Sequence, residues 1–271
     1  MCPNCRAFIT TSDRVCPYCE VKVGPRAVEA RNPGQILGGL IPQARFTTVL
    51  ILVINFAMFA ATYLYSDRTG MSFDQTLALF GAKLPLPYMQ HEWWRVITAG
   101  FLHGGWLHIL MNSWVLFDIG AEAEAAYGTS RMLIFYFIST VAGFTLSTLR
   151  SPALSIGASA GIFGLIGAMI AYGIHERTAL GSAVRSLYIR WAIYGLLMGL
   201  LPMFSIDNWA HIGGLAAGFA TAFIFPVPRA RTMRWEPLVR ACAAICVLLT
   251  VGAFAMMFRD VVAFSGMNPN H

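Results

Sequence analysis

Seven long apolar segments divide this chain, and they constrain its fold more than any other feature. A helix needs about 20 residues to cross the hydrocarbon core of a bilayer, and each segment comes close to that length. Only 12% of the residues are charged and 57% are hydrophobic, whereas soluble domains carry about 25% charged residues. The sequence therefore predicts an all-α polytopic membrane protein. The segments are predicted at Phe46–Tyr65, Leu102–Ala125, Met132–Leu149, Ser159–His175, Leu187–Met203, Trp209–Pro226 and Leu238–Phe258.

A long connection, Ser66 to Gly100, separates the first two segments and is rich in aromatic residues and prolines. Its most distinctive stretch is His91-Glu92-Trp93-Trp94-Arg95. Tryptophan is enriched at membrane–water interfaces, where its ring is apolar and its N–H is hydrated. We expect this connection to lie on the membrane surface and not to cross it.

The basic residues predict the orientation of the chain. If the N-terminus is cytoplasmic, 14 of the 19 Lys and Arg residues fall on the cytoplasmic side, as the positive-inside rule requires. The first 20 residues are polar and rich in cysteine, so we expect no cleavable signal peptide. The C-terminus is then extracytoplasmic, and the location is a plasma membrane, such as a bacterial inner membrane. The net charge of +6 then reflects topology, and no nucleic-acid partner is expected.

Two Cys-x-x-Cys pairs, Cys2/Cys5 and Cys16/Cys19, lie close together at the N-terminus. Four thiolates in two such pairs are a typical ligand set for one tetrahedral zinc ion. The alternatives are disulfides, iron, or a ribbon without metal, and a cytoplasmic location argues against disulfides. We predict a zinc-ribbon-like segment over residues 1–22, with a possible cytoplasmic partner, and a cytoplasmic linker over 23–45.

Polar side chains recur near the start of the second, fourth and sixth segments. They are His103, His108 and Asn112, then Ser159, and then His211. In the predicted topology these three segments run in the same direction, so their polar residues lie at similar depth near the outer face. Ser159 alone would suggest only a tightly packed membrane helix, because serine and glycine are common there. Ionisable residues at one shared depth favour a functional site.

The chemistry of these residues fits acyl transfer. A serine hydroxyl needs an adjacent base to act as a nucleophile, and His211 can accept its proton and return it to the leaving amine. His108 and Asn112 lie four residues apart on one helix face and can both donate hydrogen bonds to an oxyanion. Small residues around Ser159 and after His211 allow the two helices to approach closely.

These motifs together resemble those of the rhomboid intramembrane serine proteases. The matching stretches are Gly157-Ala158-Ser159-Ala160-Gly161, His108 to Asn112, Ala210-His211 with Gly214 and Gly218, Trp94-Arg95, and Gly120, Glu124 and Gly128. The resemblance implies a six-helix protease core over 46–226, followed by a region, 227–271, that holds a cytoplasmic loop, a seventh helix and an external tail. It also implies a Ser159–His211 dyad, oxyanion donors at His108 and Asn112, and a Phe163 ring packed on His211. Supporting roles fall to Gly157, Trp94, Arg95 and Glu124.

The resemblance further implies transmembrane protein substrates, cut near the extracytoplasmic face within the lipid bilayer, and no cofactor for catalysis. Two other functions stay open on the sequence, namely a non-catalytic member of the same fold and a small-solute transporter. Transporters usually carry internal repeats, and we see none here. We expect Glu124 to be a buried hydrogen-bond acceptor and Asp207 to be a solvated loop residue.

Overall fold

The computed structural model describes residues 4–5, 15–21, 45–89, 91–201, 205–228 and 233–267. The chain divides into two compact units, Met1–Gln43 and Ala44–His271. In the small unit, the Cys16 N–H donates to Val21 O (3.0 Å) and the Glu20 N–H donates to Cys16 O (2.8 Å). These two bonds close a tight turn around the second cysteine pair. Most of the predicted linker, 23–45, lies outside the described residues.

The large unit is helical throughout its described part, with one isolated antiparallel bridge between Lys83 and Ser155. Three short helices, which we name α2, α3 and α4, lie between the first two long helices. They span Phe73–Leu79, Leu86–Met89 and Arg95–Thr98. The long helices are α1 Phe46–Thr69, α5 Trp106–Tyr127, α6 Thr129–Arg150, α7 Ser159–His175, α8 Ala179–Met198, α9 Asn208–Ile224 and α10 Glu236–Met267. The predicted all-α membrane fold is confirmed.

Three of the long helices are long and apolar enough by themselves to cross a membrane. They are α1, α6 and the Glu236–Gly266 part of α10, whereas α7 is apolar but shorter. The fourth predicted segment, Ser159–His175, coincides with α7. The fifth was predicted to begin at Leu187, but α8 begins at Ala179 because Thr178 caps it, accepting a hydrogen bond from the Gly181 N–H (3.1 Å). The predicted end of that segment, Met203, lies outside the described residues.

Helix α7 is the centre of the bundle and packs against α5, α6, α8 and α9. Twelve of its 17 residues are buried, and most of these are small or aliphatic. Helix α10 packs on the outside, against α6 and the short helix α4. The site residues on α7 are therefore enclosed by protein on several sides.

Helices α7 and α9 meet along a line of small residues, which we call the glycine seam: Ala160 and Gly164 on α7, and Gly214 and Gly218 on α9. A Cβ on Gly214 would lie 2.1 Å from Ala160 O, and a Cβ on Gly218 would lie 2.0 Å from Gly164 O. Both contacts are to backbone, so the two helices approach as closely as glycine allows. Because residue 160 faces 214 and residue 164 faces 218, α7 and α9 run in the same direction.

Glu124, near the end of α5, holds the start of α1. Its buried carboxylate accepts hydrogen bonds from the backbone N–H and hydroxyl groups of Thr47 and Thr48, at 2.8 to 3.3 Å. The hydroxyl of Thr129 donates to the same carboxylate (3.0 Å). The carboxylate thus satisfies N–H groups that have no partner within the helix, and it favours the positive end of the α1 dipole.

Arg95 holds together the connection between α1 and α5 through hydrogen bonds and an ion pair. Its guanidinium donates to Ala78 O (2.5 Å) and Ala82 O (3.1 Å) and pairs with the Glu92 carboxylate (2.7 Å). It also lies 4.7 Å from the centre of the Trp94 ring, which is fully buried. The Trp94-Arg95 pair therefore fixes the end of α2 against α4.

Candidate active site

Ser159 is the first residue of α7, and the backbone before it makes a sharp change of direction. Gly157 has φ +126°, a conformation that L side chains rarely adopt. The Gly157 N–H donates to Ala99 O (2.9 Å), which ties this turn to the surface connection. A Cβ on Gly157 would lie 2.7 Å from His108 Nε2 and 3.7 Å from Ser159 Oγ, so the imidazole and the hydroxyl face the same small space.

Lys83 holds the segment that leads into this turn. Its side chain is fully buried, and the ammonium group donates to Ser151 O (2.7 Å) and Ala153 O (2.9 Å). Its backbone N–H and C=O both bond to Ser155, each at 3.0 Å. Burial lowers the pKa of the Lys83 ammonium group, and the carboxylate of Asp207 partly opposes that shift. One residue therefore makes four hydrogen bonds to the five residues that precede the Ser159 turn.

His211 lies one turn into α9, and Asp207 fixes the start of that helix. The Asp207 carboxylate accepts from the Trp209 N–H (3.1 Å) and the Ala210 N–H (3.2 Å). It also accepts a short hydrogen bond from the Ser147 hydroxyl on α6. The expectation that Asp207 is a solvated loop residue is wrong, because a carboxylate at a helix N-cap finds donors in the first turn.

The ring of His211 stacks on the ring of Phe163, with centroids 4.0 Å apart and planes 15° apart. Both residues are 5% exposed. No hydrogen bond joins Ser159 to His211 among the contacts of the described residues, and His211 Nδ1 is buried without a partner. The two side chains belong to neighbouring ends of α7 and α9, and hydrogen bonds between catalytic groups often tighten only when a substrate binds.

His108 is oriented by the backbone of Gly104. The Gly104 N–H donates to His108 Nδ1 (3.3 Å), so the neutral ring carries its proton on Nε2, the atom that faces Gly157. His108 therefore presents a donor to the space beside Ser159. Asn112 donates to His108 O (3.0 Å) from its side-chain amide, and it is 8% exposed. A second amide hydrogen of Asn112 is left for another acceptor.

His103 packs behind His108, with ring centroids 5.1 Å apart and an interplanar angle of 63°. Its side chain is fully buried, and among the described residues no side chain forms a hydrogen bond with either ring nitrogen. His103 thus contacts an imidazole of the site through its ring. Together the starts of α5, α7 and α9 carry one hydroxyl, one buried imidazole and two further donors.

Two residues that support this region, Lys83 and Ser147, could not be recognised from the sequence. Lys83 sits in a loop, and its hydrogen bonds reach residues about 70 positions away, which no local pattern reveals. Ser147 is one of several hydroxyl residues on α6 and is distinguished only by its bond to Asp207. The Asp207 cap itself could have been found, since Asp directly before an apolar run is a typical helix start.

The small unit brings Cys5, Cys16 and Cys19 together, with their sulfur atoms all within 4.8 Å of one another. Cys5 Sγ and Cys16 Sγ are 3.6 Å apart. Zn–S bonds of about 2.3 Å in a tetrahedron place the sulfurs about 3.8 Å apart, so this donor set fits a zinc ion. A hydrogen bond from the Val21 backbone, helped by the Asn4 side chain, lowers the pKa of the Cys19 thiol to about 6. Cys2, the fourth predicted ligand, lies outside the described residues.

Comparison with known proteins gives a consistent result. The family model described as the Rhomboid domain matches residues 90–228. Rhomboid protease GluP of Bacillus subtilis (strain 168) is 34% identical over 183 residues, covering 68% of this chain and 35% of that protein. Rhomboid-like protease 3 of Toxoplasma gondii is 32% identical over 186 residues, covering 66% of this chain and 69% of that protein.

A plant protein is similar over a shorter stretch. RHOMBOID-like protein 4 of Arabidopsis thaliana is 38% identical over 135 residues, covering 49% of this chain and 34% of that protein. The chain therefore spans only about a third of the length of the Bacillus and Arabidopsis relatives and about two thirds of the Toxoplasma relative.

Proposed function

The chain belongs to the rhomboid family, and from this premise we propose that it is an intramembrane serine endopeptidase. Its substrates are transmembrane segments of other membrane proteins, reached within the lipid bilayer. The observation that carries the proposal is that Ser159 and His108 face the same space beside Gly157, while His211, near the start of the neighbouring helix α9, stacks on Phe163 one turn after Ser159. Curated relatives named as proteases support the same reading.

In the proposed mechanism, Ser159 Oγ attacks the carbonyl carbon of the scissile peptide bond. His211 accepts the hydroxyl proton and then gives it to the leaving amine nitrogen. Water next attacks the acyl-enzyme, with His211 again as base, and releases the new carboxyl terminus. The Phe163 ring holds the imidazole plane during both proton transfers.

Negative charge that develops on the carbonyl oxygen needs donors that are already in place. His108 Nε2–H and the amide of Asn112 supply them in our proposal. A single oxyanion donor is typically worth about 3–4 kcal/mol in the transition state. The Gly104 N–H keeps His108 in the tautomer that can donate.

A serine substitution tests this function directly. Ser159→Ala should abolish cleavage of a transmembrane substrate in liposomes, and a fluorophosphonate should label the wild type but not the variant. Ser182→Ala, at an exposed position early in α8, is the matched control and should cleave normally. Cleavage by Ser159→Ala, or equal labelling of that variant, would refute the proposal. Vectorial solute uptake that survives Ser159→Ala would favour the transporter alternative.

We further propose that the N-terminus is cytoplasmic and that cleavage occurs near the extracytoplasmic face. The support is the distribution of Lys and Arg, which places most of them on one side of the membrane. A membrane-impermeant maleimide applied to intact cells should not label Cys5, Cys16 or Cys19. It should label a cysteine introduced by Gly266→Cys at the exposed end of α10. The opposite pattern would reverse the orientation.

The small N-terminal unit, we propose, is a zinc ribbon whose ligands are Cys2, Cys5, Cys16 and Cys19. Zinc would supply folding energy there, because so few residues cannot form a core of their own. The low pKa of Cys19 favours the thiolate form that binds metal. A cytoplasmic protein partner of this unit is part of the same proposal and remains to be identified by cross-linking.

A further inference from the structure

A cavity of about 350 Å³ opens where α1 ends and α5 begins, outside the space around Ser159. Its volume is at the lower end of the range of about 300–1,000 Å³ that is usual for small-molecule sites. Four aromatic rings and one carboxylate dominate its wall, and the Gly104–Gly105 backbone completes it. These side chains are Phe59, Tyr63, Asp67, Phe73 and Trp106.

Three of these rings pack against the fourth, Phe59, which is only 3% exposed. The Trp106 ring meets Phe59 edge-on, with centroids 4.9 Å apart and an angle of 77°. The Phe73 and Tyr63 rings lie 6.4 Å and 6.3 Å from Phe59, at angles of 79° and 38°. The same rings line the cavity, and proteins bind quaternary ammonium groups on the π-faces of aromatic side chains.

The charge of the cavity has the sign that such a guest requires. The carboxylate of Asp67 lines the cavity, and among the residues that the structure describes it forms no ion pair or hydrogen bond. The neighbouring hydroxyl of Ser66 is already used, because it donates to Met71 O (2.9 Å). Among the described residues, no Lys or Arg lines the wall. The charged group in the wall is therefore an anion, which favours a cationic guest over an anionic one.

We propose that this cavity binds the ammonium headgroup of a zwitterionic membrane lipid. Helix α1 is long and apolar enough to cross a membrane, and the cavity lies at its end, where headgroups are found. Tyr63 and Trp106 are 52% and 61% exposed there, as is typical of aromatic residues at the level of the headgroups. This assignment is independent of the proposed protease activity.

A direct test uses the full chain in a neutral detergent, titrated with short-chain phosphatidylcholine below its micelle concentration. Calorimetry should show saturable binding, and short-chain phosphatidylethanolamine should compete, whereas phosphatidylglycerol should not. Asp67→Asn and Trp106→Leu should each weaken binding about fivefold or more, since the first removes the anionic charge and the second removes an aromatic ring from the cavity. The matched controls, Asp74→Asn and Trp93→Leu, change an exposed carboxylate and a half-exposed indole outside the cavity and should bind normally.

Equal affinity for phosphatidylglycerol, or binding that Asp67→Asn leaves unchanged, would overturn the assignment. Displacement of the lipid by a peptide with a basic residue, at lower concentration than phosphatidylethanolamine needs, would assign the cavity to protein substrates and also overturn it. The Ser159→Ala variant should bind lipid as the wild type does. Lipid binding by this variant distinguishes a failure of the lipid-site assignment from a failure of the proposed protease function.

Discussion

The ring of Phe163 on α7 lies flat on the imidazole of His211 on α9, with centroids 4.0 Å apart. A stacked ring restricts rotation of the imidazole without a hydrogen bond, and His211 Nδ1 has no other partner. The tip of the Phe163 ring meets α8, where a Cβ on Gly195 would lie 2.6 Å from Phe163 Cζ. The orientation of the proposed base is therefore set by three helices.

Replacing Phe163 tests this arrangement. Phe163→Leu should lower kcat/KM by about 2- to 10-fold, because ring pairs of this kind are worth about 0.5–1.5 kcal/mol. Phe163→Tyr keeps the ring and should retain most of the activity. The measurement is cleavage of a transmembrane substrate at several concentrations in liposomes. A Leu variant as active as the Tyr variant would show that the stack does not position the base.

Gly214 and Gly218, the α9 glycines of the glycine seam, should tolerate no side chain. Gly214→Ala places a Cβ against Ala160 O, so the helices must separate, at a cost of about 1–3 kcal/mol. In a titration with a denaturing detergent, the variant should unfold at a lower detergent concentration than the wild type. Fluorophosphonate should also label its Ser159 more slowly. Gly252→Ala on α10 is the matched control, since nothing lies within 4 Å of its Cβ position. That variant should be unchanged or more stable, as alanine favours helices.

Glu124 should matter for stability more than for chemistry. Glu124→Ala leaves the N–H groups of Thr47 and Thr48 without their acceptor, at a cost of about 2–4 kcal/mol in unfolding free energy. Glu124→Gln keeps part of the network and should lose less. The exposed pair of Arg259 and Asp260 gives a control, because Asp260→Asn should cost under about 1 kcal/mol. Equal losses for Glu124→Ala and Asp260→Asn would contradict the proposed anchoring of α1.

Lys83 should give the folded protein a characteristic pH dependence. Burial lowers its pKa below the usual 10.5, so at alkaline pH the unfolded chain binds more protons at this residue than the folded chain. Stability contributed by this residue should therefore rise as pH increases toward 10.5. The difference in unfolding free energy between wild type and Lys83→Met, measured from pH 7 upward, should follow that rise. A difference that falls over the same pH range would show that the ammonium form is the one favoured by folding.

Metal content should depend on the N-terminal cysteines alone. The full chain should carry one zinc ion, and Cys16→Ser or Cys19→Ser should lose it, whereas Cys242→Ser on α10 should not. Because protons compete with zinc for the thiolates, zinc should be retained at pH 7 and released as the solution is made strongly acidic. A chromogenic chelator measures the release. Fluorophosphonate labelling of Ser159 should be the same before and after removal of the metal.

Local patterns in the sequence were enough to predict the long helices and, for α7, the residue at its start. The start of α7 at Ser159 follows from a run of small residues at the beginning of an apolar segment. The start of α8 was missed because Arg185 interrupts the apolar pattern, although Thr178 offers a cap nine residues before the predicted start. Hydropathy detects the apolar part of a helix, whereas its true end depends on where the backbone N–H groups find acceptors.

Contacts between distant parts of the chain could not be predicted from local sequence patterns. The bonds from Lys83 to the segment before Ser159, and from Ser147 to Asp207, depend on how loops and helices meet in three dimensions. The tautomer of His108 likewise depends on the fold of the Gly104 turn. Sequence motifs thus named the reactive groups, and the structure identified the residues that hold them.

The glycine seam also limits how this protein can vary. Side chains can usually adjust to a neighbouring substitution by changing rotamer, but at Gly214 and Gly218 the opposing atoms are carbonyl oxygens of the α7 main chain. The backbone therefore sets the distance between α7 and α9 at these positions. No change of side-chain rotamer can make room for a larger residue there. A saturation-mutagenesis map of the chain should show a narrow stripe of intolerance along the seam, bordered by permissive positions on the outward sides of the same helices.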